Sequence, residues 1–291
     1  MERNLLLHSL MNKRSVEMKK KLISATLAGL IIGGGISGAV VHQAFPKEVV
    51  KTEVKTEQVG SLAKQNAMAT LWTQSSAEAN ALRLQAYNVA KERVDEAVKN
   101  GIVHKAVVLD IDETIINNMN YMAWAVKNEK KFPDQWSEWI KSAQGEEIAG
   151  AVDFIKHAQE NGVEVFLVSN RDKSEMEGTL ENLKKIGLGD IDREHIMLKD
   201  KSSSKQERMD MVEVNHNVLL YIGDNLADHN DDFYKKNVSE RAEALEAHKD
   251  DFGTKYIILP NSAYGEWEGT IYNHDYRKDQ NKARMDALKG F

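Results

Sequence analysis

Cysteine is absent from all 291 residues. That excludes disulfides, thiolate metal sites, a cysteine nucleophile and lipid attachment at an N-terminal cysteine. It leaves the compartment open. A basic excess is missing too: the net charge is −6, and nucleic-acid binding leaves a basic footprint. The nine histidines are scattered, so zinc finds no His/Cys cluster and each reads first as a solvated or core residue. The hydrophobic share of 42% and the charged share of 29% are those of a globular protein.

Charge is also absent from residues 22–45, "LISATLAGLIIGGGISGAVVHQAF", which follow Met18 and Lys19-Lys20-Lys21. A basic flank before an apolar run reads as a secretory signal or a membrane-anchor helix, with the lysines on the cytoplasmic side. Residues 22–41 are about long enough to span a bilayer. A buried soluble helix is the weaker reading, because Gly33-Gly34-Gly35 disfavour it. Cleavage stays open, since His42 sits where a small residue is preferred, and Met11 or Met18 also fits as the start. Residues 47–60 carry "VKTE" twice and read as a charged spacer. The expected organisation is therefore a signal or anchor (1–46), a spacer (47–60) and one large domain (61–291).

Residues 61–100 carry helical apolar stripes. The rhythm then changes. "AVVLDI" (106–111), "VEVFLVSN" (163–170) and "VLLYIGDN" (218–225) are short runs rich in Val, Ile and Leu, each ending in polar residues. "HIMLK" (195–199) and "KYIILPN" (255–261) are weaker versions. Helices are expected between them at 147–160, 174–186, 204–214 and 239–250. Strands alternating with helices predict an α/β fold with a parallel sheet covered on both faces. Ligands of such sheets bind at the carboxyl ends of the strands. Residues 115–146 break the alternation and hold three of the five tryptophans. They read as an insertion, a small aromatic-rich helical cap over that edge.

Converging strand ends predict a cluster of Asp110, Asp112, Ser169, Asn170, Asp224 and Asp228, with Lys205 able to reach it. Carboxylates, an amine and a hydroxyl suit a hard divalent cation and a phosphate, and magnesium prefers such oxygen ligands. In "DID", residues i and i+2 point to one side of a strand. One carboxylate can then attack phosphorus, while the other gives and takes a proton.

In order along the chain come "DIDET" (110–114), "SNR" (169–171), "KQER" (205–208) and "GDNLAD" (223–228). They resemble the four motifs of the haloacid dehalogenase superfamily. With "LPNSAYGEWEG" (259–269), the chain resembles more closely the class C acid phosphatases, including bacterial lipoprotein-type 5′-nucleotidases, over roughly residues 61–275. The resemblance implies a three-layer, mostly parallel α/β fold with the cap. It implies an extracytoplasmic, Mg²⁺-dependent acid phosphatase acting on phosphomonoesters, nucleoside monophosphates in particular, through an aspartyl phosphate. It makes Asp110 the nucleophile and a metal ligand. Asp112 becomes the acid/base, with its backbone carbonyl on the metal. Ser169 and Asn170 hold the phosphate, Lys205 is catalytic and neutralises the phosphoryl group and the nucleophile, Asp224 ligates the metal, and Asp228 stands in its outer shell. Glu113 and Thr114 fall in a structural turn, and Arg171 and Arg208 read as structural ion-pair partners. Phe132, Trp139 and Tyr264 are the candidates for clamping a nucleobase, with Trp136 competing for the place of Trp139.

Two departures stand out. Relatives of the lipoprotein type carry an acylated cysteine, which this chain lacks, and His229 follows Asp228 where phenylalanine is expected. The alternatives are a phosphotransferase of the same superfamily and an inactive membrane-tethered binding protein. A receiver-like signalling module would be shorter and would lack the cap. A small-molecule phosphomonoester is the expected partner, with the membrane through the N-terminal segment if that is uncleaved; a homo-oligomer stays open.

Overall fold

A computed structural model describes residues 61–291. The expected signal or anchor and the spacer lie outside the described residues. Among the described residues, no helix is long and apolar enough to cross a membrane.

The described residues open with three helices, α1 (Leu62–Gln65), α2 (Ala67–Ser75) and α3 (Ala77–Lys99), across the stretch expected to be helical. The break before α3 is a cap: the Ser76 hydroxyl accepts from the Ala79 N–H at 3.0 Å, satisfying a free helix-terminal donor. Then come β1 (Lys105–Leu109), β2 (Ile116–Asn117), α4 (Met119–Lys127), α5 (Trp136–Ser142) and β3 (Glu146–Glu147). Next are α6 (Ala151–Glu160), β4 (Glu164–Asp172), α7 (Met176–Lys185), β5 (Ile196–Lys199), α8 (Gln206–Glu213) and β6 (Asn217–Gly223). The chain closes with α9 (Val238–Ala247), β7 (Tyr256–Ile258), α10 (Glu266–Gly269) and α11 (Gln280–Ala287).

Five strands form one sheet in the order β5-β4-β1-β6-β7, and every pairing is parallel. Alternation along the strands fills both faces. Val107, Leu109, Val165, Leu167, Leu220 and Ile222 pack with Tyr87 and Ala90 of α3 and Phe154 and Ile155 of α6. Ala106, Val108, Phe166, Val168 and Tyr221 pack on the other side with Met209 and Val212 of α8. Each large side chain buried this way contributes about 1.5–3 kcal/mol, which fixes the register. Leu109 lies opposite both Leu167 and Ile222, so β1 and β6 end within one residue of each other, while β4 runs on to Asp172.

The strand expected over 106–111 stops at Leu109. Asp110 N–H still donates to the Ile222 carbonyl at 2.9 Å, but the Ile111 carbonyl already accepts from the N–H groups of Ile115 and Ile116. Glu113 takes a left-handed φ of 57°. The chain therefore turns off the sheet directly after the first acid. The helix expected from 147 begins at Ala151, because Glu146 and Glu147 pair antiparallel with Asn117 and Ile116. This two-stranded ribbon brings the two ends of the insertion together. Between them, α5 rests on α7 at Gly178, where a Cβ would come within 2.6 Å of the Ile140 carbonyl oxygen.

Candidate active site

β1 carries Asp110 into the interior at the carboxyl edge of the sheet. The side chain is buried. Lys205, at the N-terminus of α8 and equally buried, donates to one Asp110 oxygen. The same ammonium pairs with Asp228 at 2.7 Å. Asp224 follows the last residue of β6, and its Oδ2 accepts from Asn261 at 2.8 Å. Asp228 closes a 3-10 turn over Leu226–Asp228, its Oδ2 accepting from the Asn225 N–H at 2.9 Å. Its carboxylate lies against Gly223, where a Cβ would stand 2.4 Å from the Asp228 Cβ. Only glycine leaves that space.

One oxygen from each of Asp110, Asp224 and Asp228 lies within 4.8 Å of the others. Both Asp228 oxygens are already engaged, by Lys205 and by the Asn225 N–H. Asp224 keeps Oδ1 free. Asp110 keeps Oδ2, which Thr114 approaches only at 3.5 Å.

The electrostatics match this crowding. Burial pushes the Asp110 carboxyl up to about 7; Lys205 opposes the rise, and Asp228 and Asp112 add to it. Burial, with Asp228 and Asp110, also raises Asp224 well above the usual carboxylate range. Burial works against the Lys205 charge, but Asp110 and Asp228 outweigh it and raise its value. A further buried cation, Arg83 on α3, loses basicity through burial while Glu113, Tyr87 and Asp224 favour its charge. Two buried carboxylates and a half-buried third around one ammonium are costly unless another cation joins them. The donor set is all oxygen, so a hard divalent ion of the magnesium type fits.

Asp112 stands apart from that cluster. Arg171 grips it from Nε at 3.1 and 3.2 Å and from Nη2 at 2.8 Å. Asn118 Nδ2 donates to it at 2.9 Å. The turn after Leu109 aims the second acid at this clamp. Glu113 is fully buried and accepts from the Asn118 N–H at 2.6 Å and from Asn118 Nδ2 at 3.3 Å. Burial, with Asp112 beside it, raises its carboxyl to about 8. Thr114 offers its carbonyl to the Tyr87 hydroxyl at 2.7 Å. Both residues lie in the turn.

Ser169 is buried at the end of β4, and its oxygen accepts from the Arg171 N–H at 3.2 Å, which leaves its proton to donate elsewhere. Asn170 is exposed, donating to the Ser203 carbonyl at 2.9 Å and accepting from Arg208 at 2.8 Å. Arg208 was expected to be an ion-pair partner; it makes no ion pair among the described residues. It donates instead to the carbonyls of Ser169, Met197 and Ser204 and so ties β4 and β5 to the start of α8.

A cavity of about 760 Å³ borders this edge at Asn170 and Asn225. Phe132 and Tyr264 line it, their rings stacked at 5.4 Å and 17°. Trp139 does not line it. Its indole N–H donates to Asn118 Oδ1 at 2.8 Å, and its ring packs with Met119, Tyr121 and Met122. Trp136 is edge-on to both Tyr121 and Phe132. His229 is buried among Phe252 and Tyr256, with its charge suppressed by burial to a value of about 4. It therefore serves as an aromatic filler where phenylalanine was expected.

Sequence reasoning missed Asn118 and Asn261. Asn261 had a readable signal: it follows β7, whose end points to the same edge. Asn118 had only its place just past "DIDET".

A family described as "HAD superfamily, subfamily IIIB (Acid phosphatase)" matches residues 39–267. The class C acid phosphatase from Bacillus anthracis is similar in structure, with a TM-score of 0.77 and 37% identity over 80% of this chain and 100% of that one. The same enzyme with tungstate bound gives a TM-score of 0.76, with the same identity and coverage. Vegetative storage protein 1 of Arabidopsis thaliana is 30% identical over 144 residues, 45% of this chain. The match spans about half the length of that curated relative, 51%.

Proposed function

The chain belongs to subfamily IIIB of the haloacid dehalogenase superfamily, the acid phosphatases, and is a phosphoric monoester hydrolase; from that premise we propose a magnesium-dependent enzyme that hydrolyses nucleoside monophosphates outside the cytoplasm through an aspartyl phosphate. The observation that carries the chemistry is the buried Lys205 ammonium between Asp110 and Asp228, with Asp224 alongside.

Asp110 attacks phosphorus with its free Oδ2. The phosphorus–oxygen ester bond breaks, and the leaving oxygen takes a proton from Asp112. Water then attacks the aspartyl phosphate and gives its proton to Asp112, releasing inorganic phosphate and restoring Asp110. Arg171 and Asn118 hold the Asp112 carboxyl in one orientation for both transfers. Lys205 neutralises the nucleophile and the phosphoryl oxygens, and Ser169 donates its free proton to the latter. Fixed donors of this kind supply much of the acceleration of phosphoryl transfer. Asp224 would hold the magnesium ion through its free Oδ1, with the Asp110 carboxylate oxygen not used in the attack and the Asp112 carbonyl as further ligands and Asp228 in the outer shell. When bound, it neutralises the charge that crowds these acids.

The aromatic lining of the cavity supports the nucleotide reading. Stacking on Phe132 and Tyr264 is worth roughly 1–3 kcal/mol per base and tolerates every base. Trp139 serves this reading as a support of the turn around Asn118 rather than as a clamp. Export or anchoring rests on residues 22–45.

A substrate panel with EDTA and Mg²⁺ varied tests the whole reading. EDTA should abolish phosphate release, Mg²⁺ should restore it, and nucleoside monophosphates should be preferred over sugar phosphates. An EDTA-insensitive enzyme would overturn the metal assignment, and equal activity on nucleoside monophosphates and sugar phosphates would overturn the nucleotide one.

A further inference from the structure

The cavity carries a charge balance opposite to that of the chain. Four cationic side chains, Lys130, Lys131, Lys235 and Arg284, line it beside two carboxylates, Glu266 and Glu268, in a chain of net charge −6. The carboxylates are already matched: Glu268 by Arg284 at 2.5 Å, and Glu266 by Arg241 at 3.8 Å and the Lys235 N–H. The three lysines are not. None of them forms an ion pair among the described residues, and the Lys235 ammonium sits 5.0 Å from the Tyr234 ring centroid. Lys130 and Lys131 immediately precede Phe132, and all three line the cavity together with Tyr264 and Lys235.

The volume fits a ligand larger than one nucleoside. Sites that enclose drug-sized ligands run from roughly 300 to 1,000 Å³, and this cavity lies in the upper part of that range at about 760 Å³. A phosphomonoester bound at Asp110 through its scissile group would leave space beyond the rings, facing three unmatched ammonium groups. We infer that the enzyme selects phosphomonoesters carrying a second anionic group, such as bisphosphates, which Lys130, Lys131 and Lys235 hold at the end away from the scissile phosphate. This rests on the reading that the scissile phosphate sits at Asp110 and the rest of the substrate lies in this cavity.

Two matched pairs test it: adenosine 3′,5′-bisphosphate against AMP, and fructose 1,6-bisphosphate against fructose 6-phosphate, with kcat/KM measured at fixed ionic strength. Exposed ion pairs of this kind are worth about a factor of two to five each. The wild type should therefore favour the bisphosphate about tenfold, beyond the factor of about two that a second scissile group supplies by statistics. The triple variant K130Q/K131Q/K235Q should lose that preference in any pair that shows it, with a less than twofold change on p-nitrophenyl phosphate. Absence of preference in both pairs would overturn the inference. So would an equal fall on every substrate, since the lysines would then only steer anions to the mouth. Preference in the sugar pair, with AMP no better than ribose 5-phosphate, would sink the nucleotide reading and leave this one standing.

Discussion

Replacing Asp110 with Asn should stabilise the cation-free protein while abolishing turnover. The Asp110 carboxyl is ordinarily near 3.8 and is held near 7 by burial, against Lys205 and with Asp228 and Asp112. Three powers of ten in proton affinity correspond to about 4 kcal/mol, the cost of keeping the ionised form buried. That value already includes the attraction of Lys205; relaxation around the ionised carboxylate lowers the penalty actually borne, so we expect a net stabilisation of about 1–3 kcal/mol. For a domain of this size that is about 3–9 °C in Tm. The sign depends on pH. Below about pH 4 the carboxyl is protonated in folded and unfolded chains alike, and the two proteins should melt together on this account. The cost grows as pH rises through 4 to 7 and is complete above it. Thermal melts in EDTA at pH 4 and pH 8 read the difference directly. Saturating Mg²⁺ should close the gap at pH 8, because it stabilises the wild type by binding the folded state. A variant that melts at or below the wild type at pH 8 in EDTA would refute the crowding argument.

Arg171→Met should lower kcat about 10- to 100-fold with KM within twofold, because Asp112 loses the fork that orients it; steady-state kinetics with an unchanged kcat would remove that role. Gly223→Ala should raise the Mg²⁺ concentration for half-maximal activity at least about tenfold, since a Cβ there displaces Asp228; an unchanged titration would contradict the packing. Tyr264→Ala should raise KM for AMP about 5- to 100-fold, from the stacking energy of a base, and should affect p-nitrophenyl phosphate far less. An equal loss on both substrates would remove the stacking role.

Much of the scaffold was legible because apolar runs ending in acids leave few alternatives. "AVVLD", "FLVSN" and "LLYIGD" each name a strand and the residue delivered at its end, and the parallel sheet follows from the helices between them. The direction of Asp112 was not legible. The rule that i and i+2 share a face holds along a strand, and β1 stops one residue before Asp110. The left-handed backbone at Glu113 decides the rest, and such a conformation at a non-glycine residue leaves no mark in the sequence. The tryptophans failed for a related reason. α5 has seven residues and starts after Gln135, another left-handed position, so its phase relative to the cavity cannot be counted from a neighbouring helix. Arg208 misled because charge suggests a charged partner, whereas a guanidinium fork serves equally well to gather carbonyls.

Asn118 is a single amide shared by two jobs. One end holds the Asp112 carboxylate and the other receives the indole of Trp139. The insertion is therefore joined through one side chain to the carboxylate that the proposed reaction uses for its proton. An insertion of different sequence could replace this cap only if it returned a donor to the same oxygen. Without one, the amide oxygen loses its donor, and the hold on Asp112 then rests chiefly on Arg171. Changes to the insertion are thus constrained at one shared amide, whereas Phe132 and Tyr264 make no hydrogen bond to it among the described residues.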